Sequence, residues 1–240
     1  MNDQRRPAMV AMLRWACLAL AATLTLSACG TTSSVQEPRP SDPVAAVAWN
    51  EWRRAGGEVL VYGGPGSHNG GVNETRNPLA SRIGDYWRLI GRSEWNGRSD
   101  KPWSGIFVSW VVHEAGFSGR DFPVSGRHAG YLMPLLDAQL GGRPRGYVVH
   151  DWRSYRPKPG DLVCAGTRWS GPRDAAALRT AVDREVAHCD VVIAVRGNQV
   201  RAIGGNVRDT ITLSVYPLNG GGTLGEVRGR PWFAVAEKRG

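Results

Sequence analysis

The chain has 240 residues, 42% of them hydrophobic and 21% charged, and a formal net charge of +9. Its 30 Lys+Arg are scattered instead of forming runs, which argues against a specific nucleic-acid binder. The positive balance fits a general attraction to cell-wall polymers and lipid head groups, and fits equally well an arginine-rich composition with no role in binding, since Lys101, Lys158 and Lys238 are the only lysines.

The first 28 residues read as a processing signal. Arg5, Arg6 and Arg14 form a basic start, and the uncharged run 15–26 is shorter than the roughly 20 residues that span a bilayer. The run ends in Leu26-Ser27-Ala28-Cys29, which resembles the lipobox of bacterial lipoproteins and implies a mature chain starting at a lipid-modified Cys29. Gly30 stands where the same resemblance puts the aspartate of inner-membrane retention, so a lipid anchor in the outer membrane, facing the periplasm, is expected. Residues 29–42 then read as the lipidated cysteine and a flexible tether of small, polar and proline residues, reaching about 40 Å when extended. No later segment is long and apolar enough to cross a bilayer. Residues 43–240, about 200 in number, fit one domain with a sizeable core.

Within the domain, Ser41-Asp42-Pro43 starts a helix over 44–54 that Gly56-Gly57 stops, and the glycine- and asparagine-rich stretch 62–77 reads as a loop. A helix is expected over 85–92 with residues before it. The run 104–115 is apolar on nearly every side and predicts a buried central helix capped by Gly116. Helical patterns follow over 128–140, interrupted by Pro134, and over the alanine-rich 174–186. Short β-branched runs at 148–149, 162–165, 191–195, 200–203, 210–215 and 232–235 predict strands. Helices first and strands second give an α+β domain in which N-terminal helices pack on a small antiparallel sheet.

Of the four cysteines, Cys17 leaves with the signal and Cys29 carries lipid, so Cys164 and Cys189 remain. Both lie in strand-like runs, where an oxidising compartment favours a disulfide; two buried thiols are the alternative. No Cys-x-x-Cys or paired-histidine spacing points to zinc, and no metal or cofactor is expected.

Four segments carry a family resemblance: Pro102-Trp103-Ser104-Gly105-Ile106-Phe107-Val108-Ser109-Trp110, Lys158-Pro159-Gly160-Asp161-Leu162-Val163, His188-Cys189-Asp190-Val191-Val192 and Ile203-Gly204-Gly205-Asn206-Val207. In that order, over roughly 44–236, they resemble the bacterial domain of unknown function 2272, which is similar to the CHAP and NlpC-type cell-wall amidases and endopeptidases. That resemblance implies a papain-like fold with a nucleophile at a helix N-terminus, a histidine on a following strand and a polar third residue.

Carried over residue by residue, the resemblance makes Ser104 the nucleophile, His188 the base and acid, and Asn206 the group that orients the ring. Helix-terminal N–H groups activate a thiol and bind an oxyanion, and here the sulfur is replaced by a hydroxyl. A serine cannot form the resting ion pair and relies on a histidine backed by a carboxylate. Asp190 is two residues from His188, on the same strand face. Each residue also has a structural reading: Ser104 as an N-cap, His188 as a strand-edge histidine, Asn206 as a turn residue.

Trp103, His128 and Trp152 are candidates for a substrate groove, although Trp103 sits with Trp87 and Trp110 on apolar helical patterns that also read as core. Trp95 and Trp169, in polar contexts, are further candidates for its wall. The expectation is a lipid-anchored envelope protein with a hydrolase-like domain that acts on peptidoglycan peptides. Its alternative is an inactive wall- or protein-binding lipoprotein of the same fold.

Overall fold

A computed structural model of the chain describes residues 37–182 and 186–240. The signal, the lipidation site Cys29 and tether residues 30–36 lie outside the described residues. The end of the expected tether is fastened down. Glu37 is buried, ion-paired to Arg201 at 2.6 Å and Arg196 at 2.9 Å, and its carbonyl accepts the indole N–H of Trp49 at 2.9 Å.

Helix α1 (Pro43–Arg54) starts as its sequence dictates. Asp42 Oδ1 accepts the N–H of Ala45, proline fills the first turn, and Val44, Ala48 and Trp52 are buried. Gly56 and Gly57 follow at positive φ, which lets the chain turn at once into β1 (Glu58–Val61). Helix α2 (Leu79–Arg88) is tied to α1 by a buried carboxylate. Glu51 accepts two hydrogen bonds from the Arg82 guanidinium, at 2.8 and 3.0 Å, and one from the Tyr86 hydroxyl at 2.6 Å. Helix α3 (Ser104–Glu114) is buried from Gly105 to Val112, as a helix apolar on every side must be. Helix α4 (Ala129–Leu140) runs through Pro134 without breaking; the carbonyl this leaves unbonded belongs to Gly130, which is exposed to water.

The strands β2 (Tyr147–Asp151), β3 (Leu162–Ala165), β4 (His188–Arg196), β5 (Gln199–Val207), β6 (Thr210–Pro217) and β7 (Trp232–Lys238) join β1 in one seven-stranded sheet ordered β1-β6-β5-β4-β3-β7-β2. Every neighbouring pair is antiparallel except β1–β6, which is parallel. The α+β class therefore holds, but the sheet is mixed and larger than expected. The missed strand, β1, has only four residues, too few for a period, and its partner lies some 150 residues away. The helix expected over 174–186 is also corrected. Its described part holds a 3₁₀ turn at Ala176–Arg179 that buries only Leu178, and an alanine-rich segment without an apolar face to bury gains too little to hold an α-helix. Cys164 and Cys189 are register partners on β3 and β4 and form a disulfide.

Helix α3 packs on β4 and β5, alongside α1, while α4 packs on β2. Its seat on β5 depends on Gly205, where a Cβ would lie 2.6–2.7 Å from the side chains of Trp103 and Phe107. The other side of the sheet carries a cluster that includes Trp152, Val192, Ala202, Tyr216 and Trp232. Among the described residues no helix is long and apolar enough to cross a membrane. Replacing Gly205 with alanine is expected to destabilise the domain by about 1–3 kcal/mol through overpacking under the first turn of α3, lowering the unfolding midpoint in calorimetry; an unchanged midpoint would show that α3 is not seated there.

Candidate functional site

Ser104 opens α3. The N-cap position belongs to Trp103, which makes no side-chain cap bond, so the serine hydroxyl is not used as the cap. The N–H groups of this first turn have no intrahelical acceptor and sit at the positive end of the helix dipole. Across the turn runs the segment 125–128, so close that a Cβ at Gly105 would lie 2.4 Å from the Gly126 carbonyl. Ser109 fixes that segment. Fully buried, it donates to the carbonyl of Ser125 at 2.8 Å and accepts the Ser125 N–H at 3.0 Å. A hydroxyl in the middle of an otherwise apolar helix is thereby accounted for, and the segment it pins delivers His128 to Ser104. His128 Nε2 and Ser104 Oγ are 2.8 Å apart.

His128 is 4% exposed, and its Nδ1 lies 2.5 Å from the hydroxyl of Tyr131. A neutral imidazole has one donor and one acceptor nitrogen. The tautomer that donates from Nδ1 to Tyr131 leaves Nε2 as the acceptor for the Ser104 hydroxyl. Burial, and after it the charge of neighbouring His188, hold the His128 imidazole well below its ordinary range, with Asp190 opposing. His128 is therefore neutral at physiological pH, with a lone pair available.

The second histidine lies beside the first, with ring centroids 5.5 Å apart. His188 Nε2 is 2.6 Å from Asp190 Oδ1, and the other carboxylate oxygen accepts the Tyr216 hydroxyl at 2.6 Å. Asp190 is fully buried. Burial alone would push its carboxyl up, but the charge and hydrogen bond of His188, the Arg230 guanidinium and the Tyr216 hydroxyl together hold it well below the usual carboxylate range. The half-buried Arg230 is itself held by the Tyr62 hydroxyl at 3.1 Å. Strand β5 makes room for this pair at Gly204, where a Cβ would lie 1.8 Å from Asp190 Oδ1 and 2.7 Å from His188 Nε2.

Ser104, His128 and His188 are thus brought together, but with partners different from those expected. Ser104 bonds to His128, and the group that holds His188 is Asp190. Among the described residues no hydrogen bond joins Ser104 or Asn206 to His188. Asn206 instead takes a left-handed φ of 57° at an irregularity in the β5–β6 pairing, where asparagine is tolerated better than most residues.

A cleft of about 920 Å³ opens over Ser104 and His128 and is walled by Trp87 and Trp95. Of the three groove candidates, His128 lines it. Trp103 is a core residue, 1% exposed, its indole N–H bonded to Glu74 at 2.6 Å. Trp152 lies in the cluster on the other side of the sheet and donates to the Arg173 carbonyl at 3.2 Å. Trp95 is a wall residue as expected, whereas Trp169 is exposed and lines none of the cleft. Tyr131 and Tyr216 gave no signal in sequence beyond their three-residue spacing from His128 and a strand position, respectively. Among the described residues no group of three or more His, Cys, Asp or Glu side chains is arranged to hold a metal ion.

The His128 environment gives a signed pH effect. An unfolded imidazole takes up a proton near pH 6.5 and the folded His128 only well below it, so stability from this group is full above 6.5 and is lost as pH falls toward its folded value. In an NMR titration the His128 Cε1–H resonance, identified by its loss in His128→Gln, is expected to keep its neutral position through pH 6.5. A midpoint at or above 6.5 would contradict the buried neutral ring.

No curated protein and no solved structure matches the chain. A family model does match, over residues 76–237, so α1 and β1 precede the matched region while Ser104, His128, His188 and Asp190 all lie inside it. The chain belongs to the family described as an uncharacterized protein conserved in bacteria, the domain of unknown function 2272.

Proposed function

We propose that this protein is a lipid-anchored, periplasm-facing envelope protein whose domain is a papain-like hydrolase acting on amide bonds of peptidoglycan peptides, with Ser104 as nucleophile. The observation that carries the reading is the 2.8 Å contact between the Ser104 hydroxyl and a buried, neutral imidazole at an open cleft. Supporting it are the order of Ser104 on a helix and His188 on a later strand, which the CHAP and NlpC-type resemblance implies, and the disulfide, which suits an oxidising compartment; His128, at the start of α4, stands outside that order. The lipobox-like Leu26-Ser27-Ala28-Cys29 supports the anchor.

In this mechanism Ser104 Oγ attacks the acyl carbon while its proton passes to His128 Nε2. The N–H groups of the first turn of α3 face the developing oxyanion. The imidazolium gives its proton to the leaving amine, leaving an acyl ester on Ser104 that water then hydrolyses. His188, oriented by Asp190, is the second proton-handling group, next to His128 and just inside the cleft wall at Ala187. Asn206 has no part in this chemistry.

A second reading has its own observation. The burial and neighbouring charge that keep His128 neutral also make it a weak base toward a hydroxyl, which favours a cleft that binds a wall peptide or protein without cleaving it. The test is to incubate the detergent-solubilised full chain with purified peptidoglycan and follow new amino groups. The hydrolase reading expects release by the wild type and a loss of about two orders of magnitude or more in Ser104→Ala. Equal retention of wall by both proteins, with no release, would replace it with the binding reading.

A further inference from the structure

We propose that the cleft beside Ser104 seats an anionic group of its ligand, a carboxylate or a phosphate, against Arg92, Lys101 and the Trp87–Trp95 pair. The inference deepens the reading of this cleft as the substrate site and rests on it for the role of the anion, but its test reads binding and not turnover.

Trp95 is half-buried in the cleft wall, with Trp87 packed edge-on at 4.8 Å. Two cations lie over the Trp95 ring, the Arg92 guanidinium at 5.1 Å and the Lys101 ammonium at 5.5 Å from its centroid. Cation–π contact places both charges at one wall of the cleft without neutralising them. Among the described residues the one carboxylate that Arg92 meets is that of Glu94, at 3.9 Å, and with both side chains more than half exposed such a pair is weak. Among the described residues no carboxylate pairs with Lys101, and no acidic side chain lines the cleft.

Trp87 adds a donor. It is 4% exposed, and its indole N–H has no acceptor among the described residues, so a buried polar group stands unsatisfied in the wall. The hydroxyl and imidazole groups lining the cleft are already engaged. Ser104 and His128 hold each other, and the Ser125 hydroxyl accepts the Arg127 N–H at 3.0 Å. What the described side chains of the wall offer a ligand is therefore charge and donors, with few acceptors. A neutral sugar or amide, which needs both donors and acceptors, is a poorer complement than an anion rich in acceptor oxygens.

The experiment is calorimetric titration of the detergent-solubilised full chain carrying Ser104→Ala, so that no turnover interferes. The probes are N-acetyl-alanyl-glutamate, with free carboxylates, and its uncharged diamide. The expected result is binding about tenfold tighter for the acid, the difference one or two charge-assisted hydrogen bonds make, and weakening with added salt. Arg92→Gln with Lys101→Gln is expected to remove that preference, and Arg92→Lys with Lys101→Arg to retain it. Displacement by acetate better than by inorganic phosphate assigns a carboxylate; the reverse order assigns a phosphate.

Equal binding of acid and diamide, no binding of any anion, or a preference that survives the double glutamine variant would overturn the inference. If the anion preference is present while the wild type releases nothing from peptidoglycan, the hydrolase reading fails and this one stands.

Discussion

Strand β5 has to carry closely packed groups on both of its sides at one level, and two consecutive residues without side chains make that possible. At Gly205 the strand meets Trp103 and Phe107, and so takes the first turn of α3 almost onto its backbone. At Gly204, facing the other way by strand alternation, it meets Asp190 and His188. A methyl group at either position would push away one half of the site. The Gly-Gly step thus sets how closely the serine helix and the histidine strand approach, and the hydrogen-bonded groups above are arranged around that approach.

Given that approach, electrostatics separates the two histidines. His188 is held by a fully buried carboxylate that the histidine's own charge and hydrogen bond, together with Arg230 and Tyr216, keep ionised. Among the described residues no carboxylate bonds to His128; burial and the charge of His188 keep it neutral. Two imidazoles in different settings thus lie side by side, one bonded to a buried carboxylate and one to a tyrosine and the serine hydroxyl. The serine is joined to the neutral member by the Ser109–Ser125 bonds, which pin segment 125–128 along α3.

Much of this was legible in sequence where local pattern carries the information. The all-apolar run after Ser104 could only be a buried helix, the β-branched runs gave six of the seven strands, and Asp190 was visible as the carboxylate two residues from His188. Non-local contacts were not legible. The four residues of β1 show no period, and its parallel partner comes late in the chain. That His128 and not His188 meets Ser104 follows from a loop clasped by Ser109, which periodicity does not report. Asn206 stood in the right order for a third site residue, yet its position is spent on a left-handed backbone turn. Trp103 stands next to the serine in sequence, where a groove position is the natural expectation, but its ring packs into the core with Tyr86 and Phe107.

On the proposed reading the Ser104 hydroxyl, activated by His128, is nucleophilic. A fluorophosphonate tests this directly, since attack by Oγ forms an O–P bond and expels fluoride. Mass spectrometry of the labelled, digested full chain should place the adduct on the peptide containing Ser104 and find it missing in a correctly folded His128→Gln variant. An unmodified Ser104 after prolonged exposure, or labelling that does not depend on His128, would contradict the account.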